Sequence, residues 1–194
     1  AHPQIRNRGT IGGSLAHADP AAELPTLAVA LDARLRLARA GSERWVAAKE
    51  FYLGLFTTLL EPEELLLEIQ IPALAARTGW AFLEVARRHG DYAQVGVAAS
   101  VTLDAGGSIA TARLVYLSVG GGPVEPAGAA RALLGERPTA VAFAAAAAAA
   151  RAGIEPTGDL HASAEFKRHL TEVLTRRALA TAASRAQAVC GAPA

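Results

Sequence analysis

Thr10-Ile11-Gly12-Gly13-Ser14 is the segment of this chain whose residue types are best suited to hold an anion. Adjacent glycines remove two Cβ atoms and permit positive φ. Successive backbone N–H groups can then converge on a phosphate at close range, with the Thr10 and Ser14 hydroxyls as donors at the rim. A lone Gly-Gly pair among small polar residues more often only turns the chain, so spacing alone leaves both readings open. Glu23, in Asp19-Pro20-Ala21-Ala22-Glu23-Leu24-Pro25, has two compatible roles. An acid at a helix start complements the dipole, and a carboxylate there can also accept a sugar hydroxyl. In Arg87-Arg88-His89-Gly90-Asp91-Tyr92-Ala93, Tyr92 reads as a loop aromatic half buried against the second half of the chain. Asp91 reads as a carboxylate that holds the loop by bonding backbone amides.

Other chemistries are poorly served. Ser14, His17 and Asp19 contain the residue types of a hydrolytic triad, but they are sequence neighbours on a turn and no nucleophile-elbow pattern surrounds the serine. The histidines, His2, His17, His89, His161 and His169, show no metal-ligand spacing joined to a carboxylate partner, so no metal site is assigned. A single cysteine, Cys190, excludes an internal disulfide and cannot supply the four thiolates of an iron–sulfur cluster. Nineteen basic and 18 acidic residues, net +1, are spread without long runs, which argues against a nucleic-acid footprint or a polybasic membrane anchor. The alanine-rich stretch 139–152 is too short and too weakly apolar to span a bilayer, and no signal-peptide pattern is present. A cytoplasmic protein with protein and small-molecule partners is the expectation.

The elements that must position these residues follow from periodicity. With 194 residues and 52% apolar content, the chain can build one good-sized domain or two small ones. After the glycines, residues 15–17 are expected to run extended, followed by a helix over 24–31. Strict alternation over 34–39, the Gly41-Ser42 turn and residues 44–46 predict a hairpin with one wet face. Phe51, Tyr52, Leu55 and Phe56 predict an apolar knot on a short helical turn. Leu65, Leu67, Ile69 and Ile71 predict one face of a strand stopped by Pro72. Periodicity lapses over 73–78, where a second domain is expected to start. Runs at 80–87, 96–103 and 109–117 predict a three-stranded antiparallel meander. Helices over 127–134 and 139–152 are each closed by a glycine, and Ser163 caps a long helix with Phe166, Leu170, Val173, Leu174 and Ala178 as its apolar stripe. The tail after Gln187 is expected to fray.

The run from His2 to Pro25 resembles the second flavin-binding segment of the FAD subunit of molybdenum hydroxylases, the medium subunit of the aerobic carbon monoxide dehydrogenase and xanthine dehydrogenase family. The Arg87–Ala93 motif and Ser163-Ala164-Glu165-Phe166-Lys167-Arg168-His169-Leu170 resemble the same family in the same order. The resemblance implies an α+β chain in two parts. Residues 1–72 would form the second lobe of a two-lobed FAD-binding domain, and 79–187 a C-terminal domain with a three-stranded antiparallel sheet packed on helices. It further implies that a first FAD lobe, with its own glycine-rich phosphate loop, precedes this segment in the family, so the methionine-free chain reads as a fragment or processed form.

The implied cofactor is FAD, bound by Thr10, Ile11, Gly12, Gly13, Ser14, Glu23, Leu66, Asp91 and Tyr92, with no catalytic side chain. Glu23 stands where family members often carry aspartate. Tyr92 would lie over or beside the isoalloxazine ring, and Leu66 near it. Leu83 occupies a position where some relatives place a lysine close to the flavin. The implied partners are an iron–sulfur subunit and a molybdopterin subunit of one complex, with an external electron acceptor. The implied activity is that of the flavoprotein component of an oxidoreductase. The competing expectation is a non-catalytic docking fragment that does not retain flavin by itself.

Overall fold

The computed structural model describes residues 3–190; His2 and the tail beyond residue 190 lie outside the described residues. The first half contains α1 (Pro3–Arg6), α2 (Ile11–His17), α3 (Glu23–Ala30), β1 (Arg34–Arg39), β2 (Ser42–Ala47), α4 (Ala48–Phe51), β3 (Tyr52–Gly54), β4 (Thr57–Thr58) and β5 (Leu65–Gln70). Strands β2-β1-β5 form an antiparallel sheet in that order, and β3 pairs with β4. Alternation in β1 works as the sequence predicts. Leu35 and Leu37 are buried with Leu15, Val29 and Phe51 in one core cluster. On the wet face Arg36 pairs with Glu43 at 3.1 Å and Glu68 at 2.8 Å.

Three expectations for this half are corrected. Residues 15–17 are helical rather than extended, because the Thr10 hydroxyl caps α2 by accepting the Gly13 amide at 2.9 Å. In β5 the apolar stripe does not face inward as a unit. Arg36 pairs with Glu68 but Leu37 with Leu66, so Leu67 is an extra residue, and the bulge changes which face each later side chain meets. Leu66 and Ile69 pack on the core, while Leu65, Leu67 and Ile71 are exposed. The apolar knot divides as well. Phe51 is buried in α4, whereas Leu55 and Phe56 form the exposed tip of the β3–β4 hairpin, with Phe56 left-handed at φ 50°.

The second half contains β6 (Thr78–Ala86), β7 (Ala93–Leu103), β8 (Ile109–Leu117), α5 (Ala127–Arg131), α6 (Ala140–Ala152) and α7 (Ala164–Cys190). The expected meander is present, in the order β6-β7-β8. Val95, Val97 and Val101 on β7 and Leu114 and Tyr116 on β8 face a core closed by α6 and α7. At Gly79 the α7 backbone comes so close that an added Cβ would overlap the Ala182 carbonyl. Ser163 caps α7 by accepting the Phe166 amide at 3.1 Å.

Phe166 itself points outward, a correction to the expected stripe. The inward face instead carries buried Lys167, Thr171 and Thr175 beside Leu170, Leu174 and Ala178. Thr175 donates to the Thr171 carbonyl at 2.6 Å, so Tyr116 donates its hydroxyl hydrogen to Thr175 Oγ1, also at 2.6 Å. Helix α5 is shorter than expected, and Gly153 caps α6 at φ −92° rather than in the left-handed region. Helix α7 extends through Cys190, and the rest of the tail expected to fray lies outside the described residues.

The two halves meet on the opposite face of the second sheet, where α3 packs against β7 and β8 and Val115 joins the first core cluster. Arg113 ties the junction by donating to the Val29 carbonyl and pairing with Asp32, 3.1 and 3.0 Å away.

Candidate functional site

The glycine segment forms the opening turn of α2 rather than a positive-φ loop, which corrects the geometry expected of Gly12 and Gly13. The capacity for close approach survives that correction. An added Cβ on Gly12 would meet no atom within 4 Å, so the first turn of the helix stands open on that side. The amides of an α-helix's first turn have no intrahelical carbonyl partner; here the Thr10 hydroxyl takes that of Gly13, and those of Ile11 and Gly12 make no hydrogen bond among the described residues. Leu15, wholly buried, anchors the helix, and left-handed Ala18 (φ 53°) ends it. Asp19 then accepts the Ala21 amide at 2.9 Å, and the chain turns into α3. Glu23 is the first helical residue, with Ala22 as the cap. Partial burial of Glu84 on β6 raises its carboxyl above the ordinary value, and the Glu23 charge adds to the rise. The unpaired amides of Ile11 and Gly12 and the Thr10 and Ser14 hydroxyls are of the donor chemistry that a diphosphate needs.

A cavity lies where the halves meet, between Asp19, Phe56, Asp91, Tyr92, His161 and Lys167. The β6–β7 loop forms one wall. Asp91 accepts the Tyr92 amide at 3.0 Å, and this bond, with Arg87 and Arg88 beside it, holds its carboxyl below the usual range. Tyr92 is exposed rather than half buried as its loop position suggested. The opposite wall is the strap leading into α7. Buried Lys167 pairs with Asp159 at 2.7 Å, and Gln94 at the start of β7 donates to the His161 carbonyl at 2.8 Å. His17 packs against Phe56, with ring centroids 5.1 Å apart, and supports the hairpin tip on the same rim.

The sequence-derived residues thus fall into two groups. Thr10, Ile11, Gly12, Gly13 and Ser14 share the start of α2, Glu23 opens α3 after the intervening turn, and Asp91 and Tyr92 belong to the cavity. Leu66 packs on the core of the first half, and Leu83 packs on the core of the second. Neither lines the cavity. Phe56, Asp159, His161 and Lys167 were not foreseen as site residues. Only Lys167 carried a signal, as a cation inside the helical stripe that Leu170 and Leu174 define.

Residues 80–182 match the CO dehydrogenase flavoprotein C-terminal domain family. The chain belongs to this family. Residues 1–74 match the FAD binding domain in molybdopterin dehydrogenase, which makes FAD the cofactor of the family's flavoprotein half. The 6-hydroxypseudooxynicotine dehydrogenase complex subunit alpha of Paenarthrobacter nicotinovorans is 43% identical over 96% of this chain and 63% of its own length. The carbon monoxide dehydrogenase medium chain of Hydrogenophaga pseudoflava is 39% identical over 95% of this chain and 64% of its own. Among solved structures, carbon monoxide dehydrogenase from Hydrogenophaga pseudoflava superposes with a TM-score of 0.91 at 40% identity, covering 95% of this chain and 64% of that one. Quinoline 2-oxidoreductase from Pseudomonas putida 86 gives 0.90 at 38% identity, covering 96% and 64%. This flavoprotein chain therefore spans just under two thirds of the length of these relatives. Among the described residues, no helix is long and apolar enough to cross a membrane.

Proposed function

We propose that this chain is the electron-transfer flavoprotein component of a cytoplasmic molybdenum hydroxylase. In this reading a molybdopterin subunit oxidises the substrate, an iron–sulfur subunit relays the electrons, and this chain passes them to an external acceptor. The observation that carries the reading is the open first turn at Gly12, inside the segment matched to an FAD-binding family. The proposed units are a second FAD lobe at 1–72 and a C-terminal flavoprotein domain at 79–187.

Thr10, Ile11, Gly12, Gly13 and Ser14 would hold the diphosphate, and Glu23 would accept a ribose hydroxyl. Leu66 would support packing near the ring, Asp91 would fix the loop, and Tyr92 would shield the flavin from solvent. FAD when bound supplies the redox chemistry, and the protein supplies binding, orientation and exclusion of water. No side chain is required as a general acid or base.

Replacing Gly12 with valine in the complete subunit tests this directly. The side chain would enter the open space an anion needs, so FAD content should fall steeply while circular dichroism and melting stay those of the parent. Full FAD content in a folded Gly12→Val subunit would overturn the assignment. The exposed Leu65, Leu67 and Ile71 favour a second reading, a docking fragment without tight flavin retention. Flavin absorbance of the purified complex separates the two.

A further inference from the structure

The two halves are joined by apolar packing, which has no direction of its own, and by polar ties, which do. Helix α3 lies on β7 and β8, and its Ala28 and Val29 share a core cluster with Val115. Small apolar side chains of this kind permit the sliding by which packed helices shear. Polar ties hold both ends of α3. Before the helix, the Ser118 amide donates to the Pro20 carbonyl at 2.9 Å. At its other end, Arg113 on β8 donates to the Val29 carbonyl at 3.1 Å and pairs with Asp32 at 3.0 Å.

The Arg113 guanidinium divides its donors between the halves. Nη1 serves the first half, at the Val29 carbonyl and the Asp32 carboxylate, while Nε pairs with Glu125 of the second half at 3.1 Å. One cation thus joins two carboxylates and a carbonyl, and its side chain is 25% exposed, so it forms a network in the seam rather than a lone surface pair. Asp32 reaches it from left-handed backbone at φ 54°, a conformation that aspartate adopts more readily than most residues. A cation beside the last turn of α3 also complements the helix dipole.

We propose that Arg113 is a positioning residue for the flavin: it fixes the direction of α3, and through it the glycine turn and Glu23, against the Asp91-Tyr92 loop. The inference rests on the flavoprotein reading above, in which those two groups hold one cofactor. Leu15 of α2 and Val29 of α3 lie in the same core cluster, so the glycine turn travels with α3. The Asp91-Tyr92 loop joins β6 to β7, and β7 pairs with β8, so that loop travels with Arg113. With both ends of α3 tied, its direction over the sheet is set. With only the Pro20 end tied, the first half can swing about that point. Arg113 does not line the cavity, so it acts through α3.

Visible circular dichroism of the bound flavin in the complete complex reads its placement, and equilibrium dialysis reads its affinity. Arg113→Met keeps the apolar stem, and Asp32→Asn leaves Arg113 in place and suits left-handed backbone. Each should change the flavin dichroism, and Arg113→Met should raise the FAD dissociation constant about ten-fold. Glu125→Gln, which weakens only the pair inside the second half, should leave both readings as in the parent. Parental flavin dichroism in both Arg113→Met and Asp32→Asn, or in whichever of them folds, would overturn the proposal. So would an equal change in Glu125→Gln. If the parent complex holds no flavin, the flavoprotein reading fails instead, and amide hydrogen exchange over residues 23–30 judges the tie. Faster exchange in Asp32→Asn than in Glu125→Gln would support it, and equal exchange would overturn it.

Discussion

Gly12 and Gly79 are both glycines without positive φ, one at the start of a helix and one near the start of a strand, yet their surroundings are opposite. A Cβ on Gly12 would project into open space, whereas one on Gly79 would overlap the α7 backbone at Ala182 and Ala186. At Gly79 the missing side chain is used by the fold, because it lets a long helix seat directly on β6. At Gly12 nothing in the described chain occupies that space, which is where the proposed cofactor diphosphate would approach. A glycine that only the fold needs should be costly to replace in stability and neutral for a ligand, and the reverse should hold for the other.

Gly79→Val should produce the largest effect on stability. Backbone atoms cannot move aside as the end of a flexible side chain can, so α7 would be forced off the sheet. A loss of about 3 kcal/mol or more is expected, read as a large drop in the denaturant midpoint or as failure to fold. A midpoint like the parent's would mean that the helix–strand contact is much looser than its geometry.

Asp159→Asn comes next. The Lys167 ammonium, with the His161 and Ala162 amides, lowers the Asp159 carboxyl from 3.8 to about 2. A group whose folded pKa is depressed adds stability above its unfolded value. That share is fully present above about pH 4 and is lost as pH falls towards about 2. With Asp159 half exposed, solvent screening keeps its pairing near roughly 1–2 kcal/mol, between a surface and a buried ion pair. The variant should melt lower at neutral pH and lose less stability on acidification. Parallel acid-unfolding curves for parent and variant would remove the pair from the account.

Tyr116→Phe is smaller, about 1 kcal/mol, because one buried hydrogen bond disappears while Thr175 keeps its bond to the Thr171 carbonyl. Desolvation raises the Tyr116 pKa, so the hydroxyl stays protonated as a donor at neutral pH. Gly12→Ala should have the least effect on stability, within about 0.5 kcal/mol and toward stabilisation, since alanine favours helix. The complex should nonetheless lose flavin. Equal loss of flavin in Gly79→Ala and Gly12→Ala complexes that both remain folded would erase the distinction between the two positions.

Local pattern was enough for much of the architecture. The 34–47 hairpin and the three-stranded meander follow from alternation and turn residues, and α6 and α7 from helical periodicity with Thr139 and Ser163 at their starts. Where the reading failed, one local contact outweighed a propensity or a count. Two glycines argue against helix at 11–17, but Thr10 caps it and Leu15 anchors it. Strict alternation in β5 predicts an inward Leu65–Leu67 face, but a bulge leaves one residue over and Leu66 turns in instead. No pattern of apolar residues signals a bulge, because it is set by the register of the neighbouring strand.

The candidate site divides in the same way. Sequence by itself marked the Thr10–Ser14 turn and the Asp91-Tyr92 loop as candidates, because each is a short contiguous motif of neighbours along the chain. Only the tertiary structure decided that Phe56, His161 and Lys167 meet Tyr92 around one cavity. Those residues come from a hairpin tip, a strap and a helix whose meeting depends on how α3 and α7 cover opposite faces of one sheet. Periodicity reports which face of an element is apolar, not which distant segment will cover it, so a site assembled from both halves becomes visible only when the halves are packed.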